Sequence, residues 1–275
     1  MKKSLSVVSM LLICLLALST TPLIFGNFAS ASTCVANFLP NYYVNGLDTQ
    51  NEVNLSENTA NYIRSVLNSK YPMYDCRNTG CTDYNFGSIL NALQSYDTAV
   101  VYTKGHRNAV NCINGNKHIG LIMNNGATVW DCGLWYVTSS KNVHTFNWHC
   151  ETAIMPPGTH WDGCGCYGLP AAFTHNLNIP LWSNSGSQVY LGWTNTVPSY
   201  PYPQQQGGSP QYEWAINSNY NYAQVAAIYY YYMGQNYATS SALNLMANTI
   251  YSTSFQNTPL GNWLEVYGNM YLGLP

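Results

Sequence analysis

The chain has 275 residues, of which 47% are hydrophobic and only 7% charged, with a formal net charge of -2. That length and apolar content suit one sizeable core, and the missing basic balance excludes the electrostatic footprint of a nucleic-acid binder. With so few charges, solubility rests on Asn, Ser, Thr and 24 Tyr, a surface that changes little with pH.

Lys2 and Lys3 precede an apolar run from Leu5 to Leu18, and Ala29-Ser30-Ala31 supplies a small-residue cleavage signature. Residues 1–31 therefore read as a secretory signal peptide, and 32–275 as a single exported α/β domain. The apolar run is shorter than the ~20 residues a membrane span needs, and no later stretch is long enough, so no span is expected after signal removal.

Val35 to Leu39 is a short buried-strand pattern. Ser56 is a candidate N-cap for a helix from Glu57 to Asn68, with Ala60, Ile63, Val66 and Leu67 on one face. Tyr71 to Tyr74 suggests a second strand, and Asn85 a cap for a helix from Phe86 to Tyr96. Thr98-Ala99-Val100-Val101-Tyr102 follows as a buried strand that runs out into Gly105-His106. This alternation predicts a largely parallel sheet flanked by helices.

His118 to Met123 and Ala127 to Asp131 surround Asn124-Asn125-Gly126, a hairpin signal. Val143 to Trp148 is another buried strand, and it stops on His149-Cys150. Beyond lie a Pro, Gly and Cys loop from Met155 to Tyr167, a short helix from Leu169 to His175, and a strand from Gln188 to Trp193. An exposed loop from Thr196 to Pro210, helices near Tyr222 to Met233 and Ser240 to Tyr251, and an apolar tail from Val266 to Leu274 complete the chain.

Outside the cell, the eight cysteines after the leader would usually pair. Cys76 and Cys81 flank a turn, and Cys112 and Cys132 bracket the hairpin, but sequence leaves the pairing open. His160, Cys164, Cys166 and His175, with His149 and Cys150, match zinc ligands by type only; surface histidines and disulfides are the favoured reading. Gly163-Cys164-Gly165-Cys166-Tyr167-Gly168 follows a loop and no strand, which argues against a dinucleotide fingerprint. Neither a cofactor nor a metal is expected.

Side chains that carry chemistry collect beyond the carboxyl ends of parallel strands. If the strands ending before His106 and Cys150 are neighbours, an imidazole and a thiol meet there. Gly105-His106, Cys150-Glu151-Thr152-Ala153, Gly168-Leu169-Pro170-Ala171-Ala172-Phe173 and Tyr190-Leu191-Gly192-Trp193-Thr194 resemble segments of the caspase, legumain and gingipain superfamily of cysteine peptidases. The tail Tyr267-Gly268-Asn269-Met270-Tyr271-Leu272 is similar to that of its gingipain-like members. The resemblance covers roughly residues 85–275. Arg107 stands where the family usually has Gly, His149 where it has a small residue, and Asn269 where it has Asp.

The resemblance implies a caspase-like fold with a hairpin insert between the His and Cys strands, and a secreted endopeptidase acting on protein or peptide. His106 and Cys150 would be its catalytic pair, and the backbone N–H groups of Arg107 and Cys150 its oxyanion donors. Glu151, Asp131 and Asp162 are the carboxylates placed as candidates for a substrate pocket. An inactive secreted binding or surface-structural protein on the same fold is the alternative, and a transpeptidase or ligase using the same pair is a further one.

Overall fold

A computed structural model describes residues 32–40, 48–111, 116–155, 165–201 and 219–275. Every described residue lies within one compact unit, Ser32–Pro275. Among the described residues no helix is long and apolar enough to cross a membrane.

The described strands are β1 (Thr33–Leu39), β2 (Met73–Arg77), β3 (Thr98–Lys104), β4 (His106–Asn111), β5 (Lys117–Ile122), β6 (Thr128–Trp130), β7 (Asn142–Trp148), β8 (Val189–Trp193) and β9 (Leu264–Gly268). Six of them form the central sheet in the order β2-β1-β3-β7-β8-β9. All its pairings are parallel except β8 with the edge strand β9. The expected largely parallel α/β architecture is therefore present.

Successive strand residues point to opposite faces, and the central strands show it. Val35, Val100, Tyr102, Phe146, Trp148, Val189 and Leu191 enter one apolar cluster, whereas Ala36, Phe38, Ala99, Val101 and Tyr190 enter the other. Helices α1 (Gln50–Leu67), α5 (Tyr222–Gly234) and α6 (Thr239–Tyr251) pack on the first face. The second face is covered by α2 (Asp83–Leu93), α3 (Asp131–Val137) and α4 (Leu169–Thr174). Helices on both faces keep β1, β3, β7 and β8 almost wholly out of water, which explains the continuous apolar runs in the sequence.

Several boundaries differ from the sequence reading. α1 begins six residues before Ser56, capped by Thr49, whose side chain accepts from the Glu52 N–H. Ser56 is a buried interior residue whose hydroxyl donates to the Glu52 carbonyl at 2.7 Å. The polar start of α1 shows no apolar stripe, so only packing reveals it as helix. α2 is capped by Thr82 instead of Asn85. The Asn124-Asn125-Gly126 turn joins β5 and β6 as expected, with Gly126 at φ 81°. The insert is larger than a hairpin, because β4 adds a third antiparallel strand that starts at His106 itself. Asp131, read as a strand end, opens α3.

Two features of the topology stand out, the first of which locates the site. β2 lies on one side of β1 and β3 on the other, so the winding reverses between β1 and β3 and opens a crevice beyond their carboxyl ends. The β9 edge is closed by Pro180–Ser183: Trp182 N–H donates to the Val266 carbonyl at 2.7 Å and Ser183 N–H to that of Gly268 at 3.0 Å. Covering an edge in this way removes a template for pairing with another chain.

Candidate active site

β3 and β7 are adjacent and parallel, and Lys104 is the register partner of Trp148. Gly105 N–H extends the ladder to the Trp148 carbonyl at 3.3 Å. His106 and Cys150 thus leave neighbouring strands at one level, each two residues past the last paired position. Parallel neighbours lie about 4.8 Å apart, so the imidazole and the thiol share one rim of the sheet.

Gly105 is needed for a close approach. A Cβ there would meet His149 Cε1 at 3.0 Å and Pro40 Cγ at 3.2 Å. The ring of His149 lies against this glycine, fully buried. Its Nδ1 is 3.0 Å from the His106 carbonyl and its Nε2 is 2.9 Å from Thr103 Oγ1. A carbonyl only accepts, so Nδ1 carries the proton. Burial pushes the His149 pKa down to about 3, against a smaller opposing effect of the hydrogen bond to His106. The ring is therefore neutral, Nε2 is bare, and the Thr103 hydroxyl donates to it. His149 therefore acts as a clamp on the backbone of His106.

The ring of His106 is held from the other side. Its Nε2 is 2.9 Å from Asp48 Oδ1, and the Asp48 side chain is fully buried. Asp48 precedes the Thr49 cap of α1, in the segment that follows β1, so the two residues meet at the reversal of winding. No sequence motif marks Asp48, which is separated from His106 by 58 positions.

Cys150 is a free thiol. Its Sγ accepts the Val197 N–H at 3.3 Å. Burial raises its pKa, and Glu151 adds to this; the Val197 N–H, Arg107 and Lys104 act the other way. The turn carrying it is stitched to β8: Glu151 N–H donates to the Asn195 carbonyl at 3.0 Å, and Ala153 N–H to that of Trp193 at 2.9 Å. Glu151 adopts φ 53°, a left-handed conformation that costs a non-glycine residue about 1 kcal/mol. Arg107 is not among the described residues with positive φ, so glycine's freedom is not needed at that position.

Beneath the rim lies a buried ion pair between Lys104 and Glu52. Glu52 also accepts the Tyr200 N–H at 2.9 Å and the Ser199 hydroxyl, and Lys104 Nζ sits 4.8 Å from the centre of the Tyr200 ring. Trp148 Nε1–H donates to the Pro198 carbonyl at 3.1 Å. These bonds fix the segment whose Val197 touches the thiol.

The three candidate pocket carboxylates part company. Glu151 is beside Cys150 but is paired with Arg107 at 2.6 Å and lies 3.8 Å from Lys117, so its charge is already answered. Asp131 is fully buried elsewhere: Oδ1 is bonded to His118 Nδ1 and the Cys132 N–H, and Oδ2 accepts from Tyr167 and Gly168 N–H. With both oxygens spoken for inside the fold, Asp131 anchors α3 and the 165–168 segment. Asp162 lies outside the described residues.

Among the described residues, His118, Asp131 and Cys132 are the group whose ligand-type atoms come together, within 4.8 Å. The His118 and Asp131 members of this group are bonded directly to one another at 2.7 Å. Of the zinc-type set named from sequence, His149 and Cys150 are engaged as above and His175 stacks on Trp135 at 3.9 Å. His160 and Cys164 lie outside the described residues. Cys132 is free, so it is not tied to Cys112, which is also outside them; Cys34, Cys76 and Cys81 are free as well.

No family model matches the chain, and no curated protein matches it. Among solved structures it is similar to caspase-1 from Spodoptera frugiperda, at 10% sequence identity and a TM-score of 0.43, over 81% of this chain and 79% of that one.

Proposed function

We propose that the chain is a secreted cysteine peptidase of caspase-like architecture, acting on protein or peptide substrates through Cys150 and His106. The observation that carries this reading is the register of β3 and β7, which releases Gly105-His106 and His149-Cys150 side by side beyond the sheet while the thiol stays unpaired. Export is supported by the composition of residues 1–31.

In this mechanism His106 takes the thiol proton and the Cys150 thiolate attacks the scissile carbonyl carbon. The oxyanion is met by the backbone N–H groups of Arg107 and Cys150. His106 then protonates the leaving amine, a thioester remains on Cys150, and water activated by His106 hydrolyses it. The Val197 N–H favours the thiolate at a sulfur that burial would otherwise keep protonated.

Labelling with a peptide acyloxymethyl ketone, followed by peptide mapping, tests the reading. Modification should fall on Cys150 and be lost in His106→Ala. Labelling of Cys150 that is absent, or indifferent to His106→Ala, would favour an inactive binding protein, for which the buried, amide-capped sulfur is the supporting observation. Transfer of the acyl group to an added peptide amine in preference to water would favour a ligase.

A further inference from the structure

Within the proposed peptidase reading, we propose that Asp48 is a positioning residue for His106, holding the ring proton on Nε2 and leaving Nδ1 as the ring's one basic nitrogen. Three observations meet here. The Asp48 side chain is fully buried, and its Oδ1 is 2.9 Å from His106 Nε2. An ionised carboxylate only accepts, so the nitrogen facing it carries a proton. The main chain of His106 is fixed independently, by the His149 Nδ1–H on its carbonyl at 3.0 Å, so Asp48 has only the ring left to orient.

The placement in the fold gives the arrangement its rigidity. Asp48 stands immediately before the Thr49 cap of α1, and Thr49 accepts the Glu52 N–H at 3.1 Å. Glu52 is in turn locked into the buried pair with Lys104, two residues before His106 on β3. The carboxylate and the imidazole are therefore anchored to one another twice, once directly and once through the first turn of α1.

The chemistry follows from the tautomer. When the thiol gives up its proton, Nδ1 receives it and the ring becomes an imidazolium whose Nε2–H already points at a carboxylate. That charge forms next to a fully buried counter-ion, although the ring itself is 28% exposed, so the thiolate–imidazolium pair is favoured over the neutral pair. Asp48 acts through the ring alone, and its carboxylate need not change protonation state.

The experiment uses the processed chain with 15N-labelled histidine. At pH 8 the His106 ring should show a protonated-type Nε2 and a bare-type Nδ1. In Asp48→Asn the two signals should move towards one another, because the amide can present nitrogen as well as oxygen to the ring. The rate of Cys150 alkylation by iodoacetamide at pH 7, read site by site because other thiols are free, should fall by about tenfold or more. Asp48→Ser, which leaves room for water, should show the same direction of change if the amide perturbs folding.

A folded Asp48→Asn or Asp48→Ser protein with the wild-type tautomer and the wild-type alkylation rate would overturn the proposal. The tautomer readout needs no turnover. An Asp48-dependent ring state in a chain whose Cys150 ignores the peptide probe would sink the peptidase reading alone.

Discussion

The Nδ1–H of His149 donates to the main-chain carbonyl of His106 at 3.0 Å, tying the end of β7 to the start of β4 across the rim where β3 and β7 stop. Thr103 completes the arrangement by donating to the far nitrogen of the same ring. Thr103→Val keeps the shape but leaves a buried acceptor unpaired, which costs about 1–3 kcal/mol. Urea denaturation should show that loss and Thr103→Ser should restore most of it. Equal stability of Thr103→Val and wild type would mean that the ring is held the other way round.

Gly105→Ala places a methyl group 3.0 Å from His149 Cε1 and 3.2 Å from Pro40 Cγ. Neither neighbour is free to retreat, since His149 is bonded at both nitrogens. Overpacking of this kind costs about 1–3 kcal/mol, and here it also displaces the residue before His106. A lower melting temperature together with slower Cys150 alkylation is expected; an unchanged alkylation rate would show that the clamp does not set the position of His106.

Charges around the sulfur make a prediction of two signs. Burial is the main reason the Cys150 thiol is held up, but Glu151 raises it further and Arg107 lowers it. Glu151→Gln should therefore move the pH midpoint of Cys150 alkylation down, and Arg107→Ala should move it up. Shifts in the same direction would contradict the ion pair that joins the two side chains at 2.6 Å.

Acid should weaken the fold through its buried histidines. His144, bonded to the Tyr229 hydroxyl at 2.8 Å, and His149 are both buried, and burial lowers the pKa of each from 6.5 to about 3. Below pH 6.5 the unfolded chain takes up protons that the folded chain refuses, so stability falls as pH drops from about 6.5 towards 3, at up to about 1.4 kcal/mol per unit for each ring. Melting temperatures between pH 7 and 5, above the ordinary carboxylate range, should decline and should decline less in His144→Gln. A flat profile would refute the burial of neutral rings. The weakly charged surface alone would have suggested indifference to pH.

The Lys104–Glu52 pair lies beneath the site with its side chains 5% and 7% exposed. Removing one charge leaves the other buried and uncompensated, a loss of about 3–5 kcal/mol. Glu52→Gln should show this in chemical denaturation. It should also free Ser199 and Tyr200, which Glu52 holds, and so raise proteolytic sensitivity near residue 200. A loss below about 1 kcal/mol would mean that water reaches the pair.

Local patterning was enough to place the parallel strands and most helices in order. Continuous apolar runs such as Thr98–Tyr102 and Val143–Trp148 have to be covered on both faces, and each leads within a few residues to the one nominated for chemistry. Asn124-Asn125-Gly126 specified its turn because glycine accepts positive φ. Beyond that, position along the chain stopped being informative. Asp48, Thr103 and Val197 carry no motif, since a hydrogen-bond partner supplied by the fold can be any polar group at any separation. Asp131 looked like a candidate for the site by residue type, yet its backbone partners and His118 absorb it inside the fold. Which strands became neighbours, and in what register, was decided by close packing of helices on both faces of the sheet. That packing is why His106 and Cys150 emerge at the same height, and why a buried carboxylate and a neutral histidine brace the ring and the backbone of His106.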